Sequence, residues 1–292
     1  MLWIAFTVLS AAVMASANLF GKYVIDKEVK DPITSAGVTG MSLFTVLGII
    51  SVVTSRTLFS LEIIIPSMGV GFFYSLALST YYSGIKREDA SRFIPTLSTT
   101  TIFTVLLAFL FLGELFTPGV YAGILLVIAG SVFVSLRGLR HFQSLSGFVI
   151  AIVSALIFSM RDIFLKFSTG NASFWQVLTW ASVGGLIVSL FFIFSRKGFT
   201  KKITKGEEHL LAVGFLSAVA YTLYAKAVSL GPVSLVSSVF KVKIIMVFAS
   251  STAISYMYPK IIKERLDRYT LLQKVIAISL ILVGVVVIRL LM

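Results

Sequence analysis

Four charged residues stand inside long apolar runs of this 292-residue chain: Arg161, Asp162, Lys241 and Lys243. Along a helix rising about 1.5 Å per residue, Lys241 lies roughly 14 Å from Pro232, near the middle of a hydrocarbon layer about 30 Å thick. A lysine at that depth costs about 2.5–3.5 kcal/mol on a lenient insertion scale, so it should face a polar interior, and by default it marks a functional site. The chemistry such groups offer is recognition. The cations suit a carboxylate or a phosphate, and the lone carboxylate suits an ion pair or proton coupling. Bond-breaking chemistry has poor material here. There is no cysteine, and the two histidines, His141 and His209, fall in loop regions. That disfavours a thiol enzyme, an intramembrane serine protease and a metalloprotease, and no metal or cofactor is expected.

On the segment that carries the lysines, Ser234, Ser238 and Lys241 fall at i, i+4 and i+7, one face of a helix. Lys243 sits about 200° round from Lys241. Its face is shared with Val236, Val239, Phe240 and Val247. A regular helix therefore cannot aim both lysines into one cavity. Lys241 is the expected ligand, and Lys243 is expected to pack against a neighbour or to snorkel. Asp162 is the natural counter-ion for Lys241 or Arg161.

The elements that must position these groups are membrane helices. The chain is 58% hydrophobic and 13% charged, against about 45–50% and about 25% in soluble proteins. Ten spans are predicted, over 2–22, 33–54, 63–84, 90–112, 118–136, 147–167, 173–195, 209–228, 232–257 and 270–290. The breaks carry turn residues, among them Asp31-Pro32, Pro118-Gly119 and Gly231-Pro232. The first span lacks a basic n-region and is expected to be retained. Most of the 25 Lys and Arg fall in the odd-numbered loops, while the even side holds Arg56, Lys166, Lys226 and Arg289. By the positive-inside rule the odd loops are cytoplasmic and both termini lie outside the cell membrane. The net charge of +13 then reflects loops that meet anionic lipid, with no nucleic acid as partner.

A weak duplication runs through the chain. Asn18-Leu-Phe-Gly-Lys22 matches Asp162-Ile-Phe-Leu-Lys166, Tyr81 and Ser91 match Tyr224 and Ser234, and Gly130 pairs with Gly284. An odd number of spans per half makes the second half run the opposite way, and the loop charges are complementary, as an inverted repeat requires. The expected fold is all-α: ten transmembrane helices as two inverted five-helix repeats, 1–140 and 141–292, around a central cavity. The repeat extends the candidate site. Ser98 stands where Lys241 stands, with Pro95 on its stripe and able to kink the fourth helix. Asn18 is the counterpart of Asp162, and Tyr81 and Tyr224 suit paired cavity walls, within a tyrosine cluster that includes Tyr74, Tyr82 and Tyr221. Trp180 is a further candidate. Lys22 and Lys166, at predicted helix ends, are expected to cap or snorkel.

Thr101-Ile-Phe-Thr-Val-Leu-Leu-Ala-Phe-Leu-Phe-Leu-Gly-Glu114 and Gly123-Ile-Leu-Leu-Val-Ile-Ala-Gly130 resemble the fourth-helix ending and glycine-spaced fifth helix of the EamA-type drug/metabolite transporters. The chain departs from that pattern where Thr101 and Ile244 replace prolines and Lys263-Glu264-Arg265 replaces the second "GE" ending. Most such proteins place both termini in the cytoplasm, whereas the charges here say the reverse. The resemblance implies a basket of two halves that opens alternately to each side. A secondary transporter of a small metabolite is the reading, with a gradient, a coupling proton or a counter-substrate as driver, since no ATP-binding glycine loop is present. The deep positive charge favours an anionic or zwitterionic substrate, amino-acid-like or phosphorylated. The alternatives are a non-transporting receptor or scaffold and, further off, a membrane-embedded enzyme.

Overall fold

A computed structural model of the chain describes residues 2–29, 31–54, 61–87, 93, 96–133, 145–195, 204–257 and 268–292. These residues form helices, with no strand among them. In chain order the helices are α1 (Leu2–Lys27), α2 (Pro32–Thr54), α3 (Leu61–Arg87), α4 (Thr100–Leu112), α5 (Pro118–Phe133), α6 (Leu145–Asn171), α7 (Phe174–Phe194), α8 (Lys205–Leu230), α9 (Val233–Val239), α10 (Val242–Met257) and α11 (Arg268–Leu291). Among the described residues seven segments are long and apolar enough to cross a bilayer, the last being Val233–Ser250, which joins α9 to the start of α10. Thr100–Leu112, Pro118–Phe133 and Val275–Leu291 are shorter apolar helices. Their outer faces carry exposed apolar side chains such as Val53, Phe111 and Phe191, which lipid covers as readily as protein would. This is a multi-pass membrane protein.

Local sequence sets the helix ends. Ser173 and Gln176 form a capping box at the start of α7, and Thr204 and Glu207 form another at α8, where the Thr204 amide donates to the Glu207 carboxylate at 2.8 Å. Helix α4 stops at Gly113, whose φ of +67° lies in the left-handed region that a side chain disfavours.

The helices pack in pairs, through small residues that let backbones approach. Helix α1 runs along α8, with the Ser10 hydroxyl donating to the Ala220 carbonyl at 2.6 Å. Helix α2 packs on α7, α3 on α6 and α7, and α5 on α11. A Cβ on Gly71 of α3 would overlap the Ala181 carbonyl of α7, and one on Gly284 of α11 would meet the Gly123 carbonyl of α5 at 2.7 Å. These contacts hold the helices of the bundle together.

The predicted continuous helix over 232–257 is broken in the structure at Phe240-Lys241. The amides of Lys241, Lys243 and Ile244 donate to the carbonyls of Ser238, Phe240 and Lys241 at 3.1, 3.0 and 2.9 Å, each three residues back. Such bonds overwind the chain relative to an α-helix. Two further predicted ends also move, since α1 continues past Lys22 to Lys27 and α3 runs to Arg87.

Candidate functional site

A cavity of about 140 Å³ lies among α1, α3, α6, α8, the residues leading into α4 and the α9–α10 joint. It runs from mid-depth towards the end of the bundle where α1 finishes. Helix α1 lines it with Asn18 and Lys22, α3 with Tyr74, Tyr81 and Tyr82, and α8 with residues from Val213 to Tyr224. The opposite end is filled. There the Trp3 indole lies against Gly231, close enough that a Cβ on the glycine would meet it at 2.7 Å.

Arg161 and Asp162 sit deep in this cavity as a bonded pair. The Arg161 Nε and Nη2 atoms donate to one Asp162 carboxylate oxygen at 3.0 and 2.5 Å, and both residues are buried. Four rings surround the guanidinium. Its central carbon lies 4.9 Å from the ring centre of Tyr74, 5.2 Å from Phe158, 5.5 Å from Tyr221 and 5.2 Å from Tyr224. Aromatic faces attract a desolvated cation, typically by about 0.5–2 kcal/mol each. Asp162 therefore has Arg161, of the two cations considered for it, as its partner.

The joint between α9 and α10 delivers the lysines. Lys241 and Lys243 both line the cavity, together with Ser237, Phe240 and Ile244. The expectation that one cavity could not receive both lysines is corrected here. It assumed a regular turn of 100° per residue, and the overwound joint replaces that turn with tighter geometry. Lys243 stands 4.9 Å from the centre of the Phe240 ring. Among the described residues, Lys22, Lys241 and Lys243 have no carboxylate partner.

Of the other residues proposed from sequence, Ser98, Asn18, Tyr81 and Tyr224 line the cavity. Three do not. Ser234 and Ser238 are fully buried in α9, where the Ser238 hydroxyl donates to the Ser234 carbonyl at 2.7 Å. The regular face that joined them to Lys241 ends at the joint, so the serine stripe turns into packing and the lysine into the cavity. Trp180 is half-buried on α7, which contributes nothing to the lining. Pro95 lies outside the described residues. Tyr74, Tyr221, Lys22 and Lys243 join the wall although the sequence did not favour them as ligands. Tyr74 precedes Tyr81 by seven residues and Tyr221 precedes Tyr224 by three, spacings that put each pair on one helical face. That signal was available. Lys22 was assigned to a helix end, but α1 continues well beyond it.

Two charged residues brace the closed end from outside the cavity. The Glu114 carboxylate, just past α4, accepts from the amides of Val233 at 2.7 Å and Ser234 at 3.1 Å. It caps a helix distant in sequence, with its negative charge against the positive end of α9. The Lys166 ammonium donates to the carbonyls of Val228 at 3.0 Å and Gly231 at 2.8 Å, at the negative end of α8. From sequence Lys166 is expected at a helix end, capping or snorkelling; α6 instead runs on to Asn171, and Lys166 caps the end of α8. The αL turn at Gly113 is what directs the chain so that Glu114 reaches α9.

Fold and cavity together describe an all-helical multi-pass membrane protein with a charged pocket among its helices. Residues 1–136 match the EamA-like transporter family, which is a family of the drug/metabolite transporter superfamily. No curated protein matches the chain. A crystal structure of another protein superposes with a TM-score of 0.76 at 15% identity, over 99% of this chain and 99% of that one. At that identity the likeness speaks for the fold alone.

Proposed function

We propose that this protein is a secondary transporter that carries a small anionic or zwitterionic metabolite across the cell membrane by alternating access. Its ten spans would form two inverted five-helix repeats, 1–140 and 141–292. The observation that carries the reading is the cavity, closed at one end, with Arg161, Asp162, Lys241 and Lys243 at mid-depth between helices drawn from both halves. A midplane site at a repeat interface is how such transporters are built.

The packing supports the inverted repeat. Exchanging each helix with its counterpart in the other half turns the α1–α8 pair into α6–α3 and the α2–α8 pair into α7–α3, while α2–α7 and α5–α11 map onto themselves. With the odd loops cytoplasmic, the cavity opens inward and Trp3, Gly231, Glu114 and Lys166 close the outer end. The binding residues would be Lys241, Ser98, Asn18, Tyr81 and Tyr224, with Asp162 as the counter-ion of Arg161 in the cavity floor.

Purified protein in liposomes tests the proposal by counterflow of labelled amino acids and phosphorylated metabolites. At least one should accumulate against its gradient, and Lys241→Ala should reduce that flux tenfold or more while insertion persists, the scale of losing a charge-assisted contact. Silence across the panel with folded protein would instead favour a receptor or scaffold.

A further inference from the structure

We infer that the substrate of this cavity is a small organic anion with at least two negative charges, a phosphorylated or dicarboxylate compound, and not a zwitterion. The inference rests on the proposed function for the use of the cavity and narrows its substrate class. A zwitterion needs two complementary charges in a buried site, a cation for its carboxylate and an anion to balance its ammonium. Among the described residues lining the cavity, Asp162 is the one carboxylate. It is already engaged, receiving both Nε and Nη2 of Arg161. The rings of Tyr74, Phe158, Tyr221 and Tyr224 enclose that same guanidinium. The pair is therefore a neutral, prepacked floor, and releasing Asp162 to a ligand ammonium would leave Arg161 buried with its charge uncompensated.

What remains for a ligand is positive. Lys22, Lys241 and Lys243 line the same cavity without a carboxylate partner among the described residues. Lys22 is exposed at the mouth, and Lys241 and Lys243 are half-buried at the α9–α10 joint. Their ammonium groups are point charges with three donors each, suited to phosphoryl or carboxylate oxygens from several directions. A second observation points the same way. Tyr221 lies on the cavity wall with its hydroxyl buried and without a hydrogen-bond partner. An anion can accept the proton of that phenol, whereas an ammonium could only donate to its oxygen and would leave the O–H without an acceptor. The aromatic walls leave room for an apolar or flat remainder on the ligand.

Three compounds that share a phenyl ring separate the charge classes: phenyl phosphate, phenylalanine and phenethylammonium. Thermal unfolding of the purified full chain in detergent, at ionic strength held constant with sodium chloride, reads their binding. Phenyl phosphate should stabilise the protein saturably, the other two should not, and inorganic phosphate and succinate should compete with it. Lys241→Gln and Lys243→Gln should each weaken phenyl phosphate at least tenfold, as expected for a direct charge contact. Lys243→Arg, which keeps the charge, should retain most of the affinity and serves as a second variant should a glutamine variant fail to fold. Saturable stabilisation by phenylalanine or phenethylammonium would overturn the inference. So would unchanged phenyl phosphate affinity in the folded lysine variants, or no shift from phenyl phosphate, phosphate or succinate. Binding with these properties in a protein that transports nothing would sink the transporter reading and leave the anion site standing.

Discussion

Glu114 caps a helix 119 residues away, its carboxylate accepting from the Val233 amide at 2.7 Å and from Ser234 at 3.1 Å. The bond ties the end of α4 to the turn that launches α9, and α9 leads directly into the joint that presents Lys241. Replacing Glu114 with alanine removes a charged acceptor from two part-buried amides, a loss of about 1–3 kcal/mol. Glu114→Ala should therefore unfold at lower temperature than the parent in detergent, and Glu114→Gln, which keeps one oxygen, should fall between them. Lys166→Gln should destabilise in the same sense through the freed Val228 and Gly231 carbonyls. An unchanged melting temperature for Glu114→Ala would mean that water replaces the carboxylate at no loss.

Helix α3 touches α7 through Gly71, where an added Cβ would fall on the Ala181 carbonyl backbone. Backbone cannot step aside as a side chain can, so Gly71→Ala should destabilise by about 1–3 kcal/mol. Gly170, near the end of α6, has nothing within 4 Å of an added Cβ. Gly170→Ala should be neutral or stabilising by up to about 1 kcal/mol, since alanine restricts the unfolded chain. Thermal melts of the two variants side by side check the contrast, and equal shifts would contradict it.

Closing the cavity while empty would remove water from Lys22, Lys241 and Lys243, which have no carboxylate partner among the described residues, a penalty of several kcal/mol per ion. In the proposed transport cycle a bound dianion would supply that balance. The carrier is therefore expected to exchange anion for anion: vesicles preloaded with the stabilising dianion should take up its labelled form at least tenfold faster than vesicles holding chloride, about 1.4 kcal/mol or more at the closing step. Lys241→Gln or Lys243→Gln should shrink the ratio. Equal initial rates in loaded and empty vesicles would show that the empty cavity closes freely.

The sequence has no cysteine, so single cysteines report topology without background. Lys205 begins α8 and Asn171 ends α6, and both are exposed. With odd loops cytoplasmic, an impermeant maleimide applied to intact cells should label Asn171→Cys and spare Lys205→Cys until the membrane is opened. The reverse pattern would invert the orientation and make the cavity face outward.

The sequence alone determined the membrane class and most of the helices. Both depend on apolar runs and turn residues, properties local to a segment of about 20 residues. It also singled out Arg161, Asp162 and Lys241, because a charge in hydrocarbon is costly whatever its neighbours are. The helix-capping role of Glu114 was not legible, since its partners lie over a hundred residues away and a glutamate after Gly113 reads equally well as a solvated loop residue. The placement of Lys243 is not legible either, for a related reason. Periodicity assumes an unbroken helix, and whether a helix breaks is decided by what its neighbours can accommodate. Only the tertiary structure could give Asp162 to Arg161, withdraw Ser234 and Ser238 into packing, and turn both lysines into one cavity, because each of those outcomes is a choice among partners that chain order does not rank.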